Sequence, residues 1–125
     1  MDRKHTTKAI RLSPMVPSAN IQETKSFLTK ALGFEEAMVS PDYVILTKDN
    51  YDLHICPAGD NIGQMSIYLE VDNLESTWEV FKSELTDGIR VREPFERDYG
   101  MKEFHADIPK TNTLLFVGQR VEQSW

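Results

Sequence analysis

The stretch SPMVPSANIQETKSFLTKAL, residues 13–32, has a counterpart later in the chain, SIYLEVDNLESTWEVFKSEL, residues 66–85. In both stretches a short alternating segment leads to an asparagine, Asn20 or Asn73, and then to apolar residues at helical spacing. Asparagine is a preferred N-cap, so each stretch predicts a strand followed by a capped helix. A strand and helix that occur twice in one chain indicate a domain built from two similar halves.

The segments around these two stretches predict the rest of each half. Gly33 ends the first helix, and Asp87 with Gly88 ends the second. Apolar or alternating runs bounded by turn residues predict the strands, which span 8–18, 43–47, 51–56, 65–71, 89–95, 101–107 and 113–117.

Each half is therefore interpreted as a β-α-β-β-β module. The first module covers about 8–60 and the second about 63–118, and neither has enough apolar residues to form a core of its own. The sequence predicts a single α+β domain over residues 1–125.

Alternation along the strands sorts the side chains between a face covered by a helix and an open face. In the first strand we expect Ile10, Leu12, Pro14 and Val16 to face the core. The opposite faces carry mostly polar groups and one aromatic ring, which predicts a polar cleft between the sheets. Its expected members are Arg11, Ser13, Met15, Asp52, His54, Cys56, Ser66, Tyr68, Glu70, Glu103 and His105.

Composition limits the kinds of partner. The chain has 20 acidic residues against 14 Lys and Arg, a formal charge of -6, which argues against nucleic acid because phosphate neutralisation needs a cationic surface. It has one cysteine, Cys56, and no apolar run long enough for a bilayer or a secretory leader. We expect a cytoplasmic protein that binds neither nucleic acid nor membrane. Trp125, the last residue, is either a loose terminus or a plug over a cleft.

Four local strings, in this order, resemble a known family. They are Ala31-Leu32-Gly33-Phe34, Asp52-Leu53-His54-Ile55, Val71-Asp72-Asn73-Leu74, and Tyr99-Gly100-Met101-Lys102-Glu103-Phe104 before Asp107. Over residues 8–118 the chain resembles the vicinal oxygen chelate superfamily, which includes glyoxalase I, extradiol dioxygenases and the fosfomycin- and bleomycin-resistance proteins. The resemblance implies two βαβββ modules forming a curved mixed sheet around a cleft, with helices on the convex side. It also implies a homodimer in which the partner completes the concavity.

The resemblance also bears on metal binding. Metal-dependent members carry His or Glu near the start of each module's first strand and another ligand in its last strand. The corresponding positions here are Ser13, Ser66 and either Leu114 or Leu115, so only His54 is a suitable ligand. We therefore expect no metal, no cofactor and no catalytic residue, as in the bleomycin-resistance branch, whose members bind small molecules without chemistry.

The predicted function is metal-independent binding or sequestration of a small, aromatic molecule by a homodimer. Tyr99 stands where resistance proteins of this family often carry a stacking aromatic. The alternative is a lyase or dioxygenase-like enzyme that uses His54 and Glu103 as acid and base, or an undetected divalent metal. A third possibility is a module that binds a protein partner through its edge strands. The expected ligand-binding residues are Ser13, His54, Ser66, Tyr68, Tyr99 and Glu103.

Overall fold

The computed structural model describes residues 7–121, so Trp125 lies outside the described residues. The described chain contains two β-α-β-β-β units in succession, as predicted. The first unit consists of β1 (Met15–Ser18), α1 (Ile21–Leu32), β2 (Glu35–Ser40), β3 (Tyr43–Lys48) and β4 (Tyr51–Pro57). The second consists of β5 (Met65–Glu70), α2 (Leu74–Ser83), β6 (Val91–Glu96), β7 (Met101–Ile108) and β8 (Thr113–Arg120).

Each unit forms its own four-stranded sheet. Sheet 1 has the strand order β1-β4-β3-β2, and sheet 2 has the equivalent order β5-β8-β7-β6. In both sheets the first strand of the unit runs parallel to the last strand, and the other neighbours are antiparallel. The two mixed sheets with their helices confirm the predicted α+β fold of paired βαβββ modules.

The helices begin where their asparagine caps predict. The side chain of Asn20 accepts a hydrogen bond from the backbone N–H of Glu23, and Asn73 accepts one from Ser76, both at 3.1 Å. Gly33 ends α1 with φ of 77°, a left-handed conformation that favours glycine. The second helix ends at Ser83, earlier than Asp87 and Gly88 predict. Its last turn tightens as the backbone N–H groups of Glu84 and Leu85 bond three residues back.

One apolar core joins the two units. The rings of Phe27 on α1 and Phe81 on α2 meet edge to face with centroids 5.4 Å apart, and Phe81 packs on Phe104 of β7 at 4.8 Å. Two hydrogen bonds also cross between the units: Ala19 N–H donates to the carbonyl of Lys110, and the Thr24 hydroxyl donates to that of Pro109, each at 2.8 Å.

The first strand is shorter than the sequence predicts. Residues 7–14 have no regular structure, and Ile10 and Leu12 are 85% and 97% exposed, so their predicted core positions are wrong. Val16 does reach the core. The edge strand β1 has a neighbour on one side only, and Pro14 lacks the N–H that would continue the ladder with β4.

Candidate functional site

Sheet 2 has one face toward the core and one without a helix, which we call its open face. On β7, Phe104, Ala106 and Ile108 are buried in the core, and Glu103 and His105 therefore belong to the open face. These residues lie as alternation predicts. What alternation does not predict is that the Glu103 side chain is completely buried.

Four neighbouring groups enclose the Glu103 carboxylate. The hydroxyl groups of Tyr68 and Tyr99 both donate to Oε2, at 2.7 and 2.5 Å. Nε2 of His105 lies 2.8 Å from Oε1, and Nη1 of Arg97 lies 3.8 Å from the same oxygen. A buried carboxylate is costly unless its oxygens are satisfied, and here both of them are. We call these five residues the Glu103 cluster.

A glycine makes this arrangement possible. Gly118 of β8 pairs with Glu103 of β7 on one side and with Glu70 of β5 on the other. A Cβ atom at position 118 would collide with the hydroxyl oxygen of Tyr68 and stand 3.2 Å from Cγ of Glu103. The empty space over Gly118 therefore lets the tyrosine hydroxyl reach across β8 to the carboxylate.

Aromatic rings surround the cluster. The rings of Tyr68 and Phe116 stack with centroids 6.2 Å apart, and His105 lies 4.0 Å from Phe116 and 5.0 Å from Phe95. The guanidinium carbon of Arg92 lies 3.5 Å above the Phe95 ring. Tyr68 and Tyr99 are 45% and 53% exposed. On the open face of sheet 2, hydrogen bonds to the buried Glu103 carboxylate therefore hold the exposed rings of Tyr68 and Tyr99 in place.

The hydrogen bonds keep this carboxylate ionised and the phenols protonated. Burial would raise the pKa of Glu103, but the hydrogen bonds from His105, Tyr99 and Tyr68 outweigh burial and lower it. Burial and the bond to Glu103 raise the pKa of Tyr68. The bond to Glu103, followed by burial, raises the pKa of Tyr99. At neutral pH both hydroxyl groups therefore retain their hydrogens.

The other expected site residues lie elsewhere. His54 is on the helix-free face of β4 in sheet 1, where its Nδ1 lies 2.7 Å from the hydroxyl of Tyr43. Ser13 precedes β1, and its hydroxyl oxygen is buried with no hydrogen-bond partner among the described residues. Ser66 is exposed on β5.

The structure thus brings together three of the six expected ligand-binding residues, Tyr68, Tyr99 and Glu103. Within residues 7–121, no hydrogen bond connects them to His54. Alternation predicts His105 on the same face as Glu103, but a lone histidine among strands is more often structural, so His105 is not among the expected ligand-binding residues. The roles of Arg97, Phe95, Phe116 and Gly118 depend on which strands are neighbours and in what register, which local patterns do not reveal.

The side chains at the positions of the superfamily's metal ligands do not form a complete site for a divalent metal. Ser66 is the register partner of Leu114 on β8, whereas Leu115 points into the core, so Leu114 takes the last-strand position. A leucine supplies no donor atom, and two serine hydroxyls with His54 leave a nitrogen and oxygen shell incomplete. Between Thr7 and Val121, no three His, Cys, Asp or Glu side chains are grouped to hold an ion.

Two grooves adjoin the cluster. One, of about 680 Å³, is lined in part by His105, Arg92 and Asp107. The other, of about 580 Å³, is lined in part by Tyr68 and Glu70. Neither groove is lined by Tyr99 or Glu103, and the second includes the core residues Leu28 and Leu53. The grooves therefore border the Glu103 cluster and do not enclose it.

Solved structures with a similar fold include a bleomycin resistance determinant encoded on the transposon Tn5. It superposes with a TM-score of 0.75 at 22% sequence identity, covering 90% of this chain and 98% of that one. A bleomycin-binding protein complexed with bleomycin superposes with a TM-score of 0.72 at 20% identity, covering 90% and 99%. The chain has the bleomycin-resistance fold.

This fold also occurs in enzymes. A lactoylglutathione lyase from Agrobacterium tumefaciens superposes with a TM-score of 0.68 at 15% identity, covering 90% of this chain and 94% of that one. The predicted likeness to the vicinal oxygen chelate superfamily is thus confirmed at the level of fold, and a shared fold does not fix the activity. No family model and no curated protein sequence matches the chain. Neither α1 nor α2, the helices of the described residues, is long and apolar enough to cross a bilayer.

Proposed function

We propose that this protein binds a small aromatic molecule on the open face of sheet 2, without a metal and without catalysing a reaction. The observation that carries the proposal is the buried Glu103 carboxylate, which fixes the exposed rings of Tyr68 and Tyr99 in place. A ring held by a hydrogen bond loses little freedom when a ligand stacks on it, so preorganisation favours binding. The fold of known bleomycin-binding proteins agrees with this function.

The same geometry argues against the acid–base alternative. A general base must come within hydrogen-bond reach of the proton it removes. Both oxygens of Glu103 are already occupied and its side chain is completely buried, and His54 belongs to the other sheet and bonds Tyr43. Glu103 is thus placed to orient its neighbours, which is the role of a supporting residue in a binding site.

We also propose that two copies of the chain assemble as a homodimer and close the site. The edge strands β1 and β5 have backbone groups available on one side, and sheet 1 carries the exposed apolar residues Met15, Met38 and Val39. In this arrangement Ser13, His54 and Ser66 contribute to the same cleft as the Glu103 cluster, with sheet 1 of one copy facing sheet 2 of the other. Light scattering in solution tests this, with a molecular mass twice that of the chain expected.

Cytoplasmic location is part of the proposal. It is supported by the use of one cysteine, Cys56, because disulfide pairs are typical of oxidising compartments.

Calorimetric titration tests the proposed function. Bleomycin and a panel of uncharged planar aromatic compounds are titrated into the wild type and into Tyr68→Ala, Tyr99→Ala and Val80→Ala. We expect at least one compound to bind, and removal of either cluster ring to weaken binding roughly tenfold or more. Val80 is an exposed apolar residue on α2, away from the open face of sheet 2, so its removal is the control. No binding in the panel, or equal loss in all three variants, contradicts the proposal.

A further inference from the structure

We infer that this site selects ligands that donate hydrogen bonds, such as aromatic N–H or O–H compounds, over ligands of the same shape that only accept them. This inference rests on the proposed function and names the chemical class of its ligand. It follows from where the hydrogens of the Glu103 cluster must lie.

The two tyrosine hydroxyl groups of the cluster both donate their hydrogens to Glu103. A hydroxyl has one hydrogen to donate and two lone pairs that accept. Tyr68 and Tyr99 both place their oxygens within hydrogen-bond distance of Oε2 of Glu103, at 2.7 and 2.5 Å. An ionised carboxylate can only accept hydrogen bonds, so each tyrosine donates its single hydroxyl hydrogen to Glu103. The hydrogen bonds that lower the pKa of Glu103 keep it in this ionised form.

The carboxylate of Glu103 itself is closed to a ligand. His105 occupies Oε1 at 2.8 Å, and the Glu103 side chain has no exposed surface. Tyr68 and Tyr99, in contrast, are about half exposed. The hydroxyl oxygens of these half-exposed residues therefore keep only acceptor capacity for a ligand. Donation to a carboxylate also makes a hydroxyl oxygen a better acceptor, because hydrogen bonds in a chain polarise one another.

Positive charge flanks the aromatic surface beside the cluster. The guanidinium groups of Arg92 and Arg97 lie 3.5 and 5.3 Å from the centroid of the Phe95 ring, and Arg97 also lies 4.9 Å from the centroid of Tyr99. A cationic ligand would meet like charge beside the aromatic surface. The donor that fits best is therefore neutral, as in an indole, a phenol or an amide.

Matched probes test the inference directly. Indole and benzofuran have the same shape, but indole presents an N–H donor where benzofuran presents an oxygen acceptor. Ligand-detected NMR at neutral pH gives their dissociation constants on the wild type. We expect indole to bind about 3–10-fold more tightly, the effect of one hydrogen bond gained. Equal affinities, or tighter binding of benzofuran, overturn the inference and leave the proposed function standing. If neither indole, benzofuran nor the titration panel binds, both fail.

Removal of the carboxylate gives a second readout. In Glu103→Leu nothing at position 103 accepts the two tyrosine hydrogens, so both hydroxyl groups are free to donate to a ligand. The preference for indole is expected to fall toward onefold, while Glu79→Leu, at an exposed position of α2, retains the wild-type preference. Persistence of the full preference in Glu103→Leu overturns the inference. Should that variant fold poorly, Tyr68→Phe with Tyr99→Phe retains both rings, removes both acceptors and is expected to abolish the preference.

Discussion

Gly118 stands opposite Glu103 in the ladder between β7 and β8. Because glycine has no Cβ atom, the Tyr68 hydroxyl can pass over Gly118 and bond the Glu103 carboxylate. The candidate site therefore depends as much on an absent Cβ atom as on the groups that form its hydrogen bonds. A buried charge on a sheet face is tolerated here because a residue from β5 can pass over β8 to satisfy it.

Gly118→Ala is expected to destabilise the protein by roughly 1–3 kcal/mol, because the new methyl group forces the Tyr68 ring away and leaves Glu103 with one donor fewer. Urea denaturation measures the free energy of unfolding. Gly59→Ala is the matched control, since nothing lies within 4 Å of a Cβ at that position, and it is expected to change stability by less than about 0.5 kcal/mol. Equal effects of the two substitutions would contradict the close packing at Gly118.

Stability is expected to depend on Glu103 in acid. Because the folded protein lowers the pKa of Glu103 below its ordinary value of 4.5, the unfolded chain takes up this proton first as the pH falls. The contribution of Glu103 is therefore complete above about pH 4.5 and is lost as the pH drops through the lower folded value. The free energy of unfolding, measured from pH 7 to pH 3, should fall less steeply in Glu103→Gln than in the wild type. Parallel curves would show that the carboxylate is not held in its ionised form.

Tyr68 and Tyr99 are expected to ionise at a higher pH than an ordinary tyrosine. The folded protein raises the pKa values of Tyr68 and Tyr99 above the ordinary 10.0, so their protonated forms favour folding, and this contribution is lost as the pH rises beyond that value. Phenolate absorbance between pH 8 and pH 11 should therefore be almost the same in the wild type and Tyr68→Phe. In Glu103→Gln, Tyr68 and Tyr99 should ionise at lower pH than in the wild type. A clear loss of signal in Tyr68→Phe below pH 10 would contradict the bond to Glu103.

Ligand binding is expected to be independent of divalent metal. Protein purified without a chelator should contain much less than one equivalent of any transition metal, and EDTA should leave the dissociation constant unchanged. The reason is that Ser13, Ser66 and Leu114 replace metal ligands beside His54. A stoichiometric ion that disappears in His54→Ala would instead support the enzyme alternative.

The sequence predicts local features of this fold well and non-local ones poorly. Asn20, the apolar stripe and Gly33 act within a few residues of one another, so together they define α1 correctly. The sequence predicts too early a start for β1, because apolar residues such as Ile10 and Leu12 satisfy an alternation whether or not a neighbouring strand is present. It does not predict the bounds of β2, because the residues EEAMVS are mostly exposed and lack the contrast between faces that identifies a strand.

The same distinction applies to the site. Alternation placed Tyr68, Glu103 and His105 on the open face correctly, since that requires only the period of a strand. The burial of Glu103 depends on Tyr68, far away in sequence, and on Gly118 in the neighbouring strand. Such pairings arise from register, which a single sequence does not specify.

We propose above that an aromatic ligand binds on the open face of sheet 2. Backbone amide signals, followed by NMR while indole is added to isotope-labelled protein, show at which residues the ligand binds. The expected result is a saturable shift of the signals of Tyr99, Glu103 and Gly118, with that of exposed Val80 on α2 unmoved. Shifts confined to α2, or saturable binding that leaves the Glu103 cluster unchanged, would contradict the claim.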